Sequence, residues 1–114
     1  MLWNFAADPN AGPHTNGGGC MGCYGALTID GDNVKRLTAC YVVAHASRFV
    51  PPGSVRIGSS TLDTLPNVAF RTPKGEQVLI VANPSDATQN FAIREQGKAV
   101  STSLKAGSVA TYVW

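Results

Sequence analysis

The side chains of this sequence that could do chemistry concentrate near its N-terminus, in a loop that follows a short apolar run. Residues 2–7 read Leu-Trp-Asn-Phe-Ala-Ala, and the loop that follows carries Asp8, Asn10, His14 and Asn16. A buried strand that ends in a polar, aromatic-flanked loop is typical of one wall of an α/β active site. Trp3 could stack on a flat apolar ligand surface, and Asn4 and His14 could form hydrogen bonds with a polar ligand.

Each of these residues also has a structural explanation. Trp3 could be a core side chain whose indole N–H is satisfied, Asn4 could cap neighbouring backbone, and His14 could be an exposed loop histidine. Asp8 is the acid nearest to them, and it precedes Pro9. An Asp-Pro step favours a hydrogen bond from the aspartate side chain into its own turn. We therefore expect Asp8 to be a turn residue rather than a catalytic acid.

The spacing Cys20-x-x-Cys23 is the sharpest local motif. Zinc needs four ligands, and only Cys40, His14 and His45 remain, at irregular spacing. The pair also follows glycines and does not open a helix, unlike a redox motif of this spacing. We expect a loop-pinning role or free thiols, with no metal and no cofactor. His45 and Cys40 are expected to pack within a helix.

Composition excludes several functional classes. The chain has 114 residues, a net charge of +2 and 14% charged residues, with its basic residues spread along its length. A nucleic-acid-binding surface needs a concentrated basic patch, so we expect no nucleic-acid partner. No apolar run approaches the ~20 residues of a membrane span, and no signal peptide is recognisable.

Hydrophobic periodicity divides the chain into two parts. The pattern predicts a strand buried on both faces at residues 2–7, a short strand at 26–29, a turn at 30–33 and a helix at 34–50 capped by Asp32 or Asn33. After Pro51-Pro52-Gly53, alternating segments separated by turn residues predict an antiparallel β-sandwich, with strands at 54–58, 68–72, 77–82, 88–94, 100–104 and 108–114. The fold is predicted to be mostly β, with a β/α unit over residues 1–52 and a sandwich over residues 53–114.

Several of these segments, taken in order, resemble glycoside hydrolase family 30, which includes glucosylceramidases and endo-β-1,6-glucanases. The segments are WNFA at 3–6, DPN at 8–10, GPH at 12–14, YVVAHASRFVPPGS at 41–54, the hairpin at 68–83 and GSVATYVW at 107–114. The first three resemble the last barrel strand and its loop, and the helix resembles the last barrel helix. The other segments resemble the family's C-terminal sandwich.

The resemblance implies a (β/α) barrel with a sandwich beside it, and retaining hydrolysis of β-glycosides by two glutamates that lie upstream of this chain. It implies that Trp3 lines the sugar pocket and that the loop through His14 borders it. Asn4 is a further candidate for binding a sugar hydroxyl. The family's sandwich also takes strands from the N-terminal side of the barrel. By the same resemblance the complete protein is expected to be secreted or periplasmic.

No catalytic pair is expected within the chain itself. Retaining hydrolysis needs two carboxyl groups roughly 5–5.5 Å apart. The only glutamates, Glu76 and Glu95, adjoin turns of the predicted sandwich and are expected to be solvated. The chain is therefore interpreted as the inactive C-terminal segment of a β-glycosidase.

Two alternatives remain open from the sequence. One is a free-standing carbohydrate-binding or interaction module that is not an enzyme. The other is association with a second chain that completes the sheet, because the apolar strand at 2–7 has no partners. A stand-alone module should expose several aromatic residues on one sheet face, whereas the aromatic residues of this sandwich fit inward or interdomain positions.

Overall fold

The computed structural model describes residues 4–15, 17, 20 and 22–114. It divides into two compact units, Met1–Ala44 and His45–Trp114. The described residues form nine strands and one helix, and the mostly β fold is confirmed. No helix in the described part of the chain is long and apolar enough to cross a membrane.

The first unit contains a small mixed sheet. Its strands are β1 (Ala6–Ala7), β2 (Leu27–Asp30) and β3 (Asn33–Arg36), in the order β1-β2-β3. β1 runs parallel to β2, and β2 and β3 form an antiparallel hairpin. Ala7 is buried, but Phe5 just before β1 is 55% exposed, so the prediction of burial on both faces is wrong at Phe5.

The helix α1 (Thr38–Phe49) is shorter than the sequence predicted. The segment at 33–36 forms β3 instead of a first helical turn, because it pairs with β2 across the turn at Gly31 and Asp32. Asp32 and Asn33 therefore do not cap the helix. The predicted C-terminal end is confirmed, since Pro51-Pro52-Gly53 follows directly and Gly53 has a φ of 87°.

The second unit is an antiparallel sandwich. One sheet has the order β4-β5-β6-β9, formed by β4 (Val55–Ile57), β5 (Asn67–Arg71), β6 (Gln77–Asn83) and β9 (Ser108–Val113). The other sheet pairs β7 (Gln89–Glu95) with β8 (Lys98–Leu104). All six strands overlap the segments predicted from the sequence.

The core of the sandwich lies between these two sheets. Leu65, Val81 and Leu104 form its buried centre, and Leu79, Phe91, Ala110 and Tyr112 pack against it. The rings of Phe91 and Tyr112 meet edge to face, with centroids 6.0 Å apart. Burial of a large aliphatic side chain contributes roughly 1.5–3 kcal/mol, so this cluster holds the two sheets together. The predicted inward positions of Phe91 and Tyr112 are confirmed.

Candidate functional site

The predicted sugar-binding residues flank β1. Asn4 lies half-buried just before the bend at Phe5, and His14 lies exposed beyond the end of β1. Trp3, the third predicted contact, lies outside the described residues. The roles of Trp3, Asn4 and His14 in binding stay predictions.

The loop that leaves β1 is organised by the carboxylate of Asp8. Asp8 Oδ1 accepts hydrogen bonds from the backbone N–H groups of Asn10 and Gly12, each at 2.8 Å. The backbone of Asp8 also donates to the carbonyl of Gly12 at 2.8 Å and accepts from the N–H of Ala11 at 3.1 Å. The expectation that Asp8 is a turn residue is confirmed.

Two small buried residues sit inside this turn. Ala11 is 2% exposed and has a φ of 65°, in the left-handed region that most side chains avoid. Gly12 is buried too, and a Cβ added to it would lie 2.6 Å from Asp8 Oδ2. The peptide bond between Gly12 and Pro13 is cis. Sequence reasoning found the Asp8–Pro9 turn but not the second bond to Gly12, which depends on the left-handed conformation of Ala11.

Cys20 and Cys23 form a disulfide in the segment between this loop and β2, and Cys40 is a free, half-buried thiol. Of the alternatives left open by the sequence, the structure therefore supports the bond that pins the loop. Among the described residues no group of three or more histidine, cysteine or acidic side chains could hold a metal ion.

This pairing predicts the alkylation pattern of the purified chain. Iodoacetamide should modify one of the three cysteines in denatured, unreduced protein, and all three after reduction, by intact-mass spectrometry. Denaturation exposes Cys40, while the bond between Cys20 and Cys23 protects both of those sulfurs. Modification of all three without a reductant would contradict the disulfide.

The two glutamates serve the sandwich. Glu76 is exposed in the turn between β5 and β6, where its carboxylate accepts a 3.4 Å hydrogen bond from Thr72 Oγ1. Glu95 is half-buried and accepts a hydrogen bond, in an exposed environment, from the indole N–H of Trp114, so it is less solvated than predicted. Glu95 pairs with Lys98 at the end of β7, and Trp114 pairs with Gln77 at the start of β6, so the bond joins the two sheets of the sandwich.

The helical histidine also has a structural contact. His45 is half-buried, and its Nδ1 lies 2.8 Å from Thr111 Oγ1 on β9. Thr111 belongs to the sheet face opposite the core, because side chains alternate along a strand and Ala110 and Tyr112 face the core. His45 thus attaches the second half of α1 to the sandwich sheet, which confirms its expected packing role.

Sequence reasoning did not locate a groove in the sandwich. Its volume is about 710 Å³, and it lies between β7 and the inner strands β5 and β6 of the four-stranded sheet. Ala69, Leu79 and Val81 line its floor, and Phe91 and Ile93 of β7 line one side. Within the described residues β7 pairs with β8 alone, so the edge of β7 beside the groove has no strand partner.

The architecture of a short parallel strand pair, a hairpin and a helix followed by a β-sandwich is also found within a solved glucanase. The endo-β1,6-glucanase BT3312 matches 98% of this chain with a TM-score of 0.85 and 28% identity. SrfJ from Salmonella typhimurium matches 96% of it with a TM-score of 0.87 and 26% identity. The chain corresponds to 26% and 25% of those two chains.

Sequence relatives agree with this class. An endo-1,6-β-D-glucanase of Aspergillus fumigatus is 31% identical over 87 residues, which is 71% of this chain and 18% of the relative. The lysosomal acid glucosylceramidase of Mus musculus is 28% identical, over 98% of this chain and 22% of its own length. The chain therefore spans about a fifth of the length of these relatives.

Residues 53–112 match the β-sandwich domain of glycosyl hydrolase family 30. The chain belongs to this family, as its sequence segments indicated. The matched residues cover all six strands of the second unit, apart from the final residue of β9.

Proposed function

We propose that this chain is the C-terminal segment of a retaining β-glycosidase that acts on a β-linked glucoside or glycan. The observation that carries the proposal is the match of nearly the whole chain to about a quarter of a glucanase. The sandwich forms one domain from residue 53 onward, and residues 1–52 form the last β/α unit of a barrel. Trp3, Asn4 and His14 contribute one wall of the sugar pocket.

The groove beside β7 supports a further part of this proposal. An unpaired strand edge above an apolar floor is suited to accept another strand, which would gain backbone hydrogen bonds and bury the floor. In the complete protein we propose that strands from the N-terminal side of the barrel fill this groove. A second chain that completes the sheet is the alternative occupant.

A stand-alone carbohydrate-binding module has less support. Within residues 55–114, Trp114 is the one aromatic side chain that is exposed, at 46%, and its indole N–H already bonds to Glu95. Phe91 and Tyr112 are committed to the core. One exposed aromatic ring, whose N–H group is already hydrogen-bonded, does not form the row of exposed rings expected of a glycan-binding face.

The disulfide supports a proposed location. Disulfides persist in secreted and periplasmic proteins and are rare in the cytosol. The bond between Cys20 and Cys23 agrees with secretion or export of the complete protein to the periplasm.

The isolated chain is expected to be inactive, because its glutamates serve the sandwich and Asp8 serves a turn. Incubation with an aryl β-glucoside or with β-1,6-glucan should release no more product than buffer does. The endo-1,6-β-D-glucanase of Trichoderma harzianum serves as the positive control on β-1,6-glucan. Robust hydrolysis by the purified chain would contradict the absence of a catalytic pair.

A further inference from the structure

We propose that Asp8 is a positioning residue for substrate binding, which acts through the loop that carries Asn10 and His14. The inference rests on the proposed function, because it assumes that this loop borders a sugar pocket. Asp8 itself does not touch the substrate. Its carboxylate fixes the path of the backbone, and that backbone carries the side chains that contact the substrate.

The geometry that supports this role is a set of hydrogen bonds between Asp8 and the backbone of the residues that follow it. One carboxylate oxygen of Asp8 holds two amides, those of Asn10 and Gly12, at the same distance of 2.8 Å. The backbone groups of Asp8 hold Ala11 and Gly12 from the other side. Four hydrogen bonds thus fix a five-residue segment directly at the end of β1.

Burial of the backbone in this turn means that its polar groups need hydrogen-bond partners within the protein. Ala11 and Gly12 are both buried, while Asn10 and His14 on either side of them are exposed. The left-handed φ of Ala11 is unfavourable for a residue with a side chain, so hydrogen bonds must hold it in place. Without the carboxylate, the amides of Asn10 and Gly12 lose their acceptor and the segment leading to His14 loses its fixed direction.

Gly12 provides an independent way to disturb the same contact. A methyl group on Gly12 would lie 2.6 Å from Asp8 Oδ2, which is closer than real contacts allow. The clash is with the side chain of Asp8. Gly12→Ala should therefore displace the carboxylate, and it should do little once the carboxylate is gone.

The test uses the complete protein, expressed from the reading frame that contains this chain, with an aryl β-glucoside as substrate. Asp8→Ala should raise KM about tenfold, which is the loss of about one hydrogen bond to the substrate, and should leave kcat within about twofold. Asp8→Asn should stay within about twofold of the parent, because its side-chain oxygen accepts the same two amides. Asp86→Ala, which removes an exposed turn carboxylate of the sandwich, is the matched control and should change neither constant.

The double substitution separates positioning from general damage. Gly12→Ala should raise KM about tenfold in the parent and less than about twofold in the Asp8→Ala background, because residues that act through one contact are not additive. Additive effects would overturn the inference. So would an Asp8→Ala variant that lowers the melting temperature without changing KM, or an Asp8→Asn variant as defective as Asp8→Ala, which would indicate a role for charge.

The outcome for the proposed function is distinguishable from the outcome for Asp8. A complete parent protein that does not hydrolyse any β-glucoside contradicts the proposed function, and the role of Asp8 falls with it. An active parent whose KM is unaffected by Asp8→Ala leaves the proposed function standing and overturns the role of Asp8 alone.

Discussion

Replacing Asn83 with alanine is expected to lower the free energy of unfolding of the sandwich by about 3 kcal/mol. Asn83 is 1% exposed at the end of β6. Its Nδ2 lies 2.8, 2.9 and 3.0 Å from the carbonyl oxygens of Ala87, Leu104 and Lys105, and its Oδ1 accepts from the backbone and hydroxyl of Ser85. Alanine would leave these groups without their partner in a buried environment, which costs more than the loss of an exposed hydrogen bond.

Urea denaturation followed by circular dichroism measures this loss. Asn90→Ala is the matched control, because Asn90 is an exposed asparagine on β7 of the same sandwich, and it should change stability by less than about 0.5 kcal/mol. Asn83→Asp should also destabilise, since it keeps the acceptor for Ser85 but has no N–H to donate to the carbonyls. An Asn83→Ala variant as stable as the Asn90→Ala control would contradict this account of the β6 terminus.

The second large effect is expected from Gly25→Ala in the first unit. A Cβ on Gly25 would lie 2.9 Å from the N, Cα and C atoms of Ala6. These are backbone atoms of β1, so no side-chain rotation can relieve the clash. β1 and β2 would have to separate, although Ala6 is paired with Leu27 and the N–H of Leu27 donates to the carbonyl of Phe5 at 2.9 Å. We expect a cost of about 3 kcal/mol.

Amide hydrogen exchange measures the separation of β1 and β2 at single residues. The Leu27 amide should be protected in the parent chain and should exchange at least about tenfold faster in Gly25→Ala, because its acceptor moves away. Gly22→Ala, where an added Cβ meets none of the described residues within 4 Å, should leave that rate unchanged. Equal protection of the Leu27 amide in Gly25→Ala and in the control would contradict the close approach of Gly25 to the backbone of Ala6.

The strands of the sandwich could be predicted because local signals agree with the tertiary structure. β6 is strongly apolar between two turns, and in β7 Phe91 and Ile93 alternate with polar or small residues. Turn residues mark where these strands stop. The backbone at Gly75, with a φ of 89°, is one such position.

The start of the helix could not be placed by periodicity alone. Val34 and Leu37 fit one helical face with Tyr41, but Val34 also fits a strand opposite Ile29. Hairpin pairing with β2 prevails for residues 33–36. The Gly31-Asp32 step before them is a two-residue hairpin turn signal, which favours a strand rather than a helical turn after it.

The candidate site was predicted in part. An Asp-Pro step at the end of an apolar strand indicated a turn, and the structure shows that turn at Asp8. The second hydrogen bond, from the N–H of Gly12 to Asp8, depends on the left-handed conformation of Ala11. An alanine in a sequence does not indicate such a conformation, which glycine adopts most readily. The groove in the sandwich arises from the arrangement of strands far apart in sequence, and no local pattern in the chain reports it.

The sequence of the DNA upstream of the Met1 codon tests the central claim most directly. We predict an open reading frame, continuous with this chain, that encodes a (β/α) barrel with two glutamates at the carboxyl ends of strands. Those glutamates would supply the pair of carboxyl groups roughly 5–5.5 Å apart that retaining hydrolysis requires. An upstream frame that encodes no such barrel would contradict the proposal that this chain is the C-terminal segment of a β-glycosidase.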